Sequence, residues 1–173
     1  GFAEKVAGWV DTHPGTIVTI ALLAAAGAIA AAVYGYPSRE LCLISMTGTD
    51  GKTTVARLLA SIGVAARICV GEVGTLGAVL RHGDETVELP WTGLTTPEAP
   101  DLQALLARLR DEGADWAIME ASSVGLAAGR LDGADVAVAA LTNLSRDHLD
   151  VHSSVEDYAQ AKASLFSVHL LRS

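Results

Sequence analysis

The chain has 173 residues and a mass of 17.8 kDa, is half hydrophobic with a mean hydropathy of +0.36, and carries 18% charged side chains. That suits one globular domain, alone or with a short attachment, and excludes an intrinsically disordered chain. With 12 basic and 20 acidic side chains the net charge is −8 and the pI near 5.0, which disfavours a nucleic-acid binder but leaves room for a small phosphorylated ligand in a local electropositive pocket.

The first feature along the chain is a stretch from Thr12 to Ser38 without Asp, Glu, Lys or Arg, centred on TIVTIALLAAAGAIAAAVYGY. A bilayer span needs about 20 apolar residues, so this segment reads either as a membrane helix or as an Ala-rich buried one. The start of the sequence does not read as a cleavable signal peptide, because Glu4 and Lys5 cancel and the apolar run starts late. LCLISMT (Leu41 to Thr47), closed by Gly48, predicts a buried strand. In TTVARLLASIGV, Val55, Leu58, Leu59 and Ile62 fall at i, i+3, i+4 and i+7, which predicts a helix with that face buried.

RICVG predicts a second strand, and GTLGAVLRHGDETVELP a hairpin turning at His82-Gly83-Asp84. Thr96-Pro97-Glu98 opens a helix that runs through APDLQALLARLRDEG and stops at Gly113. DWAIMEA and ADVAVAALTNL predict two more strands, and SSVEDYAQAKASLFSVH a last amphipathic helix capped by Ser153 or Ser154. Cys42 and Cys69 lie in apolar runs without CxxC spacing and read as small core residues. Strands alternating with helices predict an α/β fold, a mostly parallel sheet with helices on both faces.

Between the first strand and its helix lies Thr47-Gly48-Thr49-Asp50-Gly51-Lys52-Thr53-Thr54. A glycine-rich turn at that place lets backbone N–H groups converge on a phosphate at a helix N-terminus. Lys52 would reach the outer phosphates of a nucleoside triphosphate, and the Thr53 hydroxyl would bind Mg²⁺. The usual first glycine of such a loop is Met46 here, so the pattern is a shortened G-x-x-G-K-T. Asp50 is repulsive beside polyphosphate unless it points outward or caps a neighbouring N–H.

Glu120 closes the strand DWAIME at its carboxyl end, where open α/β sheets place their ligands, and is a second candidate ligand for Mg²⁺. Ser122 and Ser123 supply hydroxyls just after it, and Arg130, on a short turn or helix, is able to pair with a ligand phosphate or carboxylate. On its own His148 reads as a helix cap or a core histidine before it reads as a metal ligand. Lys162, among apolar residues on the last helix, reads as an ordinary surface lysine.

Five blocks in this order, MTGTDGKTTV, GLTTPEAPDL, MEASSVGL followed by Arg130, LTNLSRDHLDVH and YAQAKASLF, resemble the Mur ligases. Within that family they are most similar to the ligases that add the third peptide residue to the cell-wall precursor, and the resemblance runs from about Ala30 to His169. It implies a cytoplasmic, monomeric, ATP- and Mg²⁺-dependent amide ligase. Its partners would be a UDP-N-acetylmuramyl-peptide and a free amino acid, with neither nucleic acid nor membrane involved. ATP would phosphorylate a substrate carboxylate, and the incoming amine would displace phosphate from the acyl phosphate.

By position the resemblance assigns Gly48, Thr49, Asp50, Gly51, Lys52, Thr53 and Thr54 to the nucleotide. It assigns Thr53, Glu120 and His148 to Mg²⁺, and Lys162 to a carbamylated lysine that acts with Lys52 and His148 in catalysis. Thr95, Thr96, Ser122 and Arg130 would hold the UDP-muramyl-peptide. Val124 and Val151 stand where the family usually has histidine and tyrosine, and Asp50 where asparagine is more frequent.

The same resemblance divides the chain into a remnant of the N-terminal domain with an Ala-rich linker helix (residues 1–38) and the first part of the ATP-binding central domain (residues 39–173). It leaves out the C-terminal domain with its Asp-Asn-Pro-Arg signature, so the chain alone is expected to lack ligase activity, and lysine and diaminopimelate both stay open as the added residue. The Thr12 to Ser38 stretch then reads as a strand, TIVTI, followed by an apolar helix of a soluble protein. Two other readings remain: a non-catalytic nucleotide-binding unit, and a related ligase of the folylpolyglutamate or cyanophycin type, against which TTPEAP and SRDHLDVH weigh.

Overall fold

The computed structural model describes residues 25–145 and 151–170. Residues 25–33 form a helix, α1, which leads through a left-handed Tyr36 into a 3-10 turn at Pro37–Arg39. Gly27, Ala30 and Ala31 are buried while Ile29 and Val33 are exposed, so α1 turns only one narrow face inward. That face is set by close approach: a Cβ on Gly27 would lie 2.4 Å from the carbonyl oxygen of Asp132. No helix among the described residues is long and apolar enough to cross a membrane. The expected strand TIVTI falls outside the described residues.

Strands β1 (Cys42–Thr47), β2 (Val70–Gly74), β3 (Gly77–His82), β4 (Glu85–Leu89), β5 (Trp116–Glu120) and β6 (Val138–Leu141) form one sheet in the order β4-β3-β2-β5-β1-β6. β2, β5, β1 and β6 run parallel, whereas β3 and β4 add the antiparallel hairpin that the Gly83 turn predicted. β2 starts three residues later than RICVG suggests. Arg67 takes a left-handed turn conformation, and the Cys69 N–H bonds the Asp115 carboxylate at 3.0 Å, so pairing with Trp116 begins at Val70. The last strand is likewise confined to Val138–Leu141 of the longer apolar run.

Helix α2 (Lys52–Ala65) covers one face of the sheet over Ile44, Met46, Val70 and Ile118. Helix α3 (Ala99–Asp111) contributes Leu102, Leu105, Leu106 and Leu109 to the larger core on the other face. The expected buried face of α2 is corrected. Val55, Leu58 and Ile62 are exposed, and Ala56, Ala60 and Gly63 meet the sheet, with Leu59 partly buried. The reason is separation: a Cβ on Gly63 would stand 2.7 Å from Val70 Cγ2 and 3.1 Å from Trp116, so only small residues fit there.

A short helix, α4 (Ser123–Ala127), follows β5, and α5 (Val155–Ser164) runs into a π-turn at Leu165–His169. Ser154 caps α5 by accepting the Asp157 N–H at 3.1 Å, and the Asp157 carboxylate accepts the Ser153 N–H in return. That backbone bond, with the Ser153 hydroxyl, holds the Asp157 carboxyl below its ordinary pKa. Both cysteines are free thiols, Cys69 buried and Cys42 partly so.

Candidate functional site

Parallel pairing aligns Met46 with Glu120, Thr47 with Leu141 and Val73 with Met119, so the carboxyl ends of four strands share one edge of the sheet. The turns leaving that edge carry the polar residues singled out in the sequence, as expected for ligand binding in an open α/β sheet.

The turn after β1 reverses direction through Gly48 (φ +153°) and the left-handed Gly51 (φ +81°), which directly precedes α2. A Cβ on Gly48 would overlap the Thr142 hydroxyl at 1.9 Å. Thr142 and Asn143, just past β6, tie the loop down. The Thr142 hydroxyl donates to the Asp50 carbonyl at 2.6 Å, and Asn143 Oδ1 accepts the N–H groups of Thr49 and Asp50 at 3.1 and 2.9 Å. Asn143 is a site residue that the sequence reading passed over within a polar cluster. Asp50 is exposed, the outward placement that a polyphosphate would require.

Thr49 is buried and anchors the loop by its side chain. Its hydroxyl lies 2.9 Å from the hydroxyl of the fully buried Tyr158, donates to the Ser145 carbonyl and accepts the Ser145 N–H. Lys52 folds back on the loop, donating to the carbonyls of Gly48 and Thr49, both at 2.9 Å.

Lys162 overturns its surface reading. It is 3% exposed, donates to the Gly48 carbonyl at 2.7 Å and lies 4.4 Å from the centre of the Tyr158 ring. Helix α5 thus passes beneath the phosphate loop and delivers a second ammonium to the same carbonyl as Lys52. His152, also buried, meets the Tyr158 ring edge-on at 5.3 Å. His148 lies outside the described residues.

Glu120 is 2% exposed at the end of β5. Its carboxylate accepts the Thr53 hydroxyl at 2.9 Å, the Thr75 N–H at 3.1 Å and the Thr75 hydroxyl at 3.2 Å. A Cβ on Gly74 would sit 2.2 Å from Oε1, so glycine is needed for the carboxylate to lie where it does. Among the described residues no lysine or arginine pairs with Glu120. Glu72, the other buried carboxylate among the described residues, contrasts with it by pairing with both Arg57 and Arg81. A buried carboxylate without a basic partner, beside a hydroxyl at the start of a helix, suits a small cation. A cavity of about 20 Å³ bounded in part by Thr53, Gly74 and Glu120 has room for one water or ion.

The remaining residues gather on the far side of Glu120. The Thr96 hydroxyl, fully buried, donates to the Glu120 carbonyl at 3.0 Å, accepts the Ser122 N–H at 2.9 Å and lies 3.1 Å from the Ser122 hydroxyl. Ser122 caps α4 by accepting the Gly125 N–H. Arg130 donates to the Thr96 carbonyl at 3.2 Å and pairs with Glu98 at 2.7 Å. Thr95 lies 3.1 Å from the Thr75 hydroxyl. An apolar cavity of about 250 Å³ between Pro90–Pro97 and α3 includes no residue of the phosphate loop and no part of Glu120.

Residues 46–171 match the family described as the Mur ligase middle domain. The chain is 47% identical over 156 residues to the UDP-N-acetylmuramoyl-L-alanyl-D-glutamate–2,6-diaminopimelate ligase of Corynebacterium glutamicum, covering 90% of this chain and 29% of that protein. A solved structure of a ligase of the same name is 41% identical with a TM-score of 0.65, over 75% of this chain and 25% of that one. Escherichia coli FolC, solved in complex with DHPP and ADP, is 26% identical with a TM-score of 0.61, over 81% of this chain and 38% of that one. The chain therefore spans little more than a quarter of the length of the curated relatives it matches.

Proposed function

Since the chain belongs to the Mur ligase family through its middle domain, we propose that it forms the phosphate- and cation-binding part of an ATP-dependent amide ligase that adds the third amino acid to UDP-N-acetylmuramyl-dipeptide. The observation that carries this reading is the position of Glu120. Its buried carboxylate faces the phosphate loop through Thr53, while its backbone carbonyl holds Thr96 on the opposite side. Phosphoryl donor and acceptor would thus meet across one residue.

In this reading the loop N–H groups and Lys52 hold the nucleotide phosphates. Lys52 leaves the Gly48 and Thr49 carbonyls to do so, and offsets the negative charge that builds as a substrate carboxylate approaches the outer phosphate. Thr53 and Glu120 would hold Mg²⁺, which supplies further charge neutralisation when bound, and His148 would serve a second ion. Thr95, Thr96, Ser122 and Arg130 orient the muramyl-peptide. Its carboxylate takes the phosphoryl group, and the amine of the incoming amino acid then displaces phosphate to leave the amide.

Lys162 is the lysine to be carbamylated. A carbamate retains one N–H, so the bond to the Gly48 carbonyl is compatible with that change. The names of the relatives favour diaminopimelate as the incoming amino acid.

The likeness to FolC supports a second reading, a ligase for a folate-type acceptor, with the same nucleotide side. NMR titration of the chain separates the two. UDP-N-acetylmuramyl-dipeptide is expected to shift the amide resonances of Thr95, Thr96, Ser122 and Arg130, and R130A to diminish those shifts. Perturbation of these residues by a pteroyl compound and not by the muramyl-dipeptide would favour the folate-type reading, and silence with both ligands would remove the proposed acceptor side.

A further inference from the structure

Thr75, at the turn between β2 and β3 of the predicted hairpin, supplies two of the three hydrogen bonds that the described residues make to the Glu120 carboxylate. A threonine hydroxyl has a single proton. With that proton on Glu120 Oε2, Thr75 Oγ1 must accept from Thr95 Oγ1, 3.1 Å away. Donation therefore runs from Thr95 through Thr75 to Glu120, and the proton of Thr95 is committed. Gly74, with no side chain, lets the carboxylate lean onto this turn.

Resting on the reading of Glu120 as a cation ligand, we propose that Thr75 is a positioning residue: it fixes the Glu120 carboxylate for a divalent cation and joins that carboxylate to Thr95 on the acceptor side. Thr53 alone bonds one carboxylate oxygen and leaves the group free to turn about its last torsion. Thr75 engages both oxygens, Oε1 through its N–H and Oε2 through its hydroxyl, and so sets the plane in which lone pairs face the loop. It follows that Thr95 offers a ligand only acceptor lone pairs, suited to an N–H or O–H of the acceptor and not to its anionic groups.

The test compares ATP binding by the chain across a Mg²⁺ series for the wild type, T75V and T75S. Valine keeps the N–H and the shape but loses both hydroxyl contacts. T75V is expected to raise the Mg²⁺ concentration needed for half-maximal enhancement of ATP binding by about fivefold to tenfold, leaving metal-free ATP affinity within about twofold, with T75S close to wild type. An unchanged Mg²⁺ dependence in T75V, an equal loss of affinity with and without Mg²⁺, or a T75S as impaired as T75V would each overturn the proposal. A wild-type chain whose ATP binding ignores Mg²⁺ would instead remove the reading of Glu120, and this proposal with it.

Discussion

Alanine in place of Lys52 is expected to weaken ATP binding by about tenfold to a hundredfold while leaving the melting temperature nearly unchanged. Among the described residues the half-buried ammonium makes bonds only to the Gly48 and Thr49 carbonyls. Gly48 keeps a second donor in Lys162, so the fold loses little when Lys52 is removed. A bound triphosphate, by contrast, loses a charge-assisted bond and the neutralising charge nearest its outer phosphates. Calorimetric titration together with thermal unfolding checks both halves. Undiminished affinity in K52A would take Lys52 out of the site, and a collapse in stability would recast it as a structural residue.

The second large effect falls on Glu120. E120Q preserves size and an acceptor oxygen but removes the charge, so most or all of the Mg²⁺-dependent strengthening of ATP binding is expected to disappear, with metal-free binding close to wild type. The expectation follows from the contrast with Glu72. There two arginines balance the buried carboxylate, whereas Glu120 has only neutral donors among the described residues and is left for a cation to balance. Retention of the full Mg²⁺ effect in E120Q, read from the same titrations, would exclude this carboxylate as a ligand.

Much of this site was legible in the sequence because its geometry is local. Gly48, Gly51, Lys52 and Thr53 belong to one turn, and a strand-to-helix turn of that composition has few other uses. Glu120 was legible for a related reason: the end of a parallel strand is a defined place. Residues whose roles arise from contacts far along the chain were not. Lys162 bonds a carbonyl 114 positions away; an isolated lysine on an amphipathic helix gives no sign of it, and only the family resemblance singled it out. Asn143 and Thr75 are short polar residues in turns, where sequence suggests hydrogen bonding without naming the partner.

The face of α2 was misjudged because apolar spacing ranks side chains by hydrophobicity. The close approach at Gly63 selects by size, and it turns Val55, Leu58 and Ile62 outward. The fold fared better than the contacts, since alternating strands and helices with one tight hairpin leave little freedom in layer order.

The central claim is that the carboxyl edge of this sheet binds nucleotide phosphate through the loop after β1 with help from a cation at Glu120. Calorimetric titration of the 173-residue chain with ATP, with Mg²⁺ and then with EDTA in its place, tests it most directly. Saturable one-to-one binding that Mg²⁺ strengthens at least tenfold, about 1.4 kcal/mol, is the predicted result. No saturable binding, or binding of equal strength with and without Mg²⁺, would contradict it.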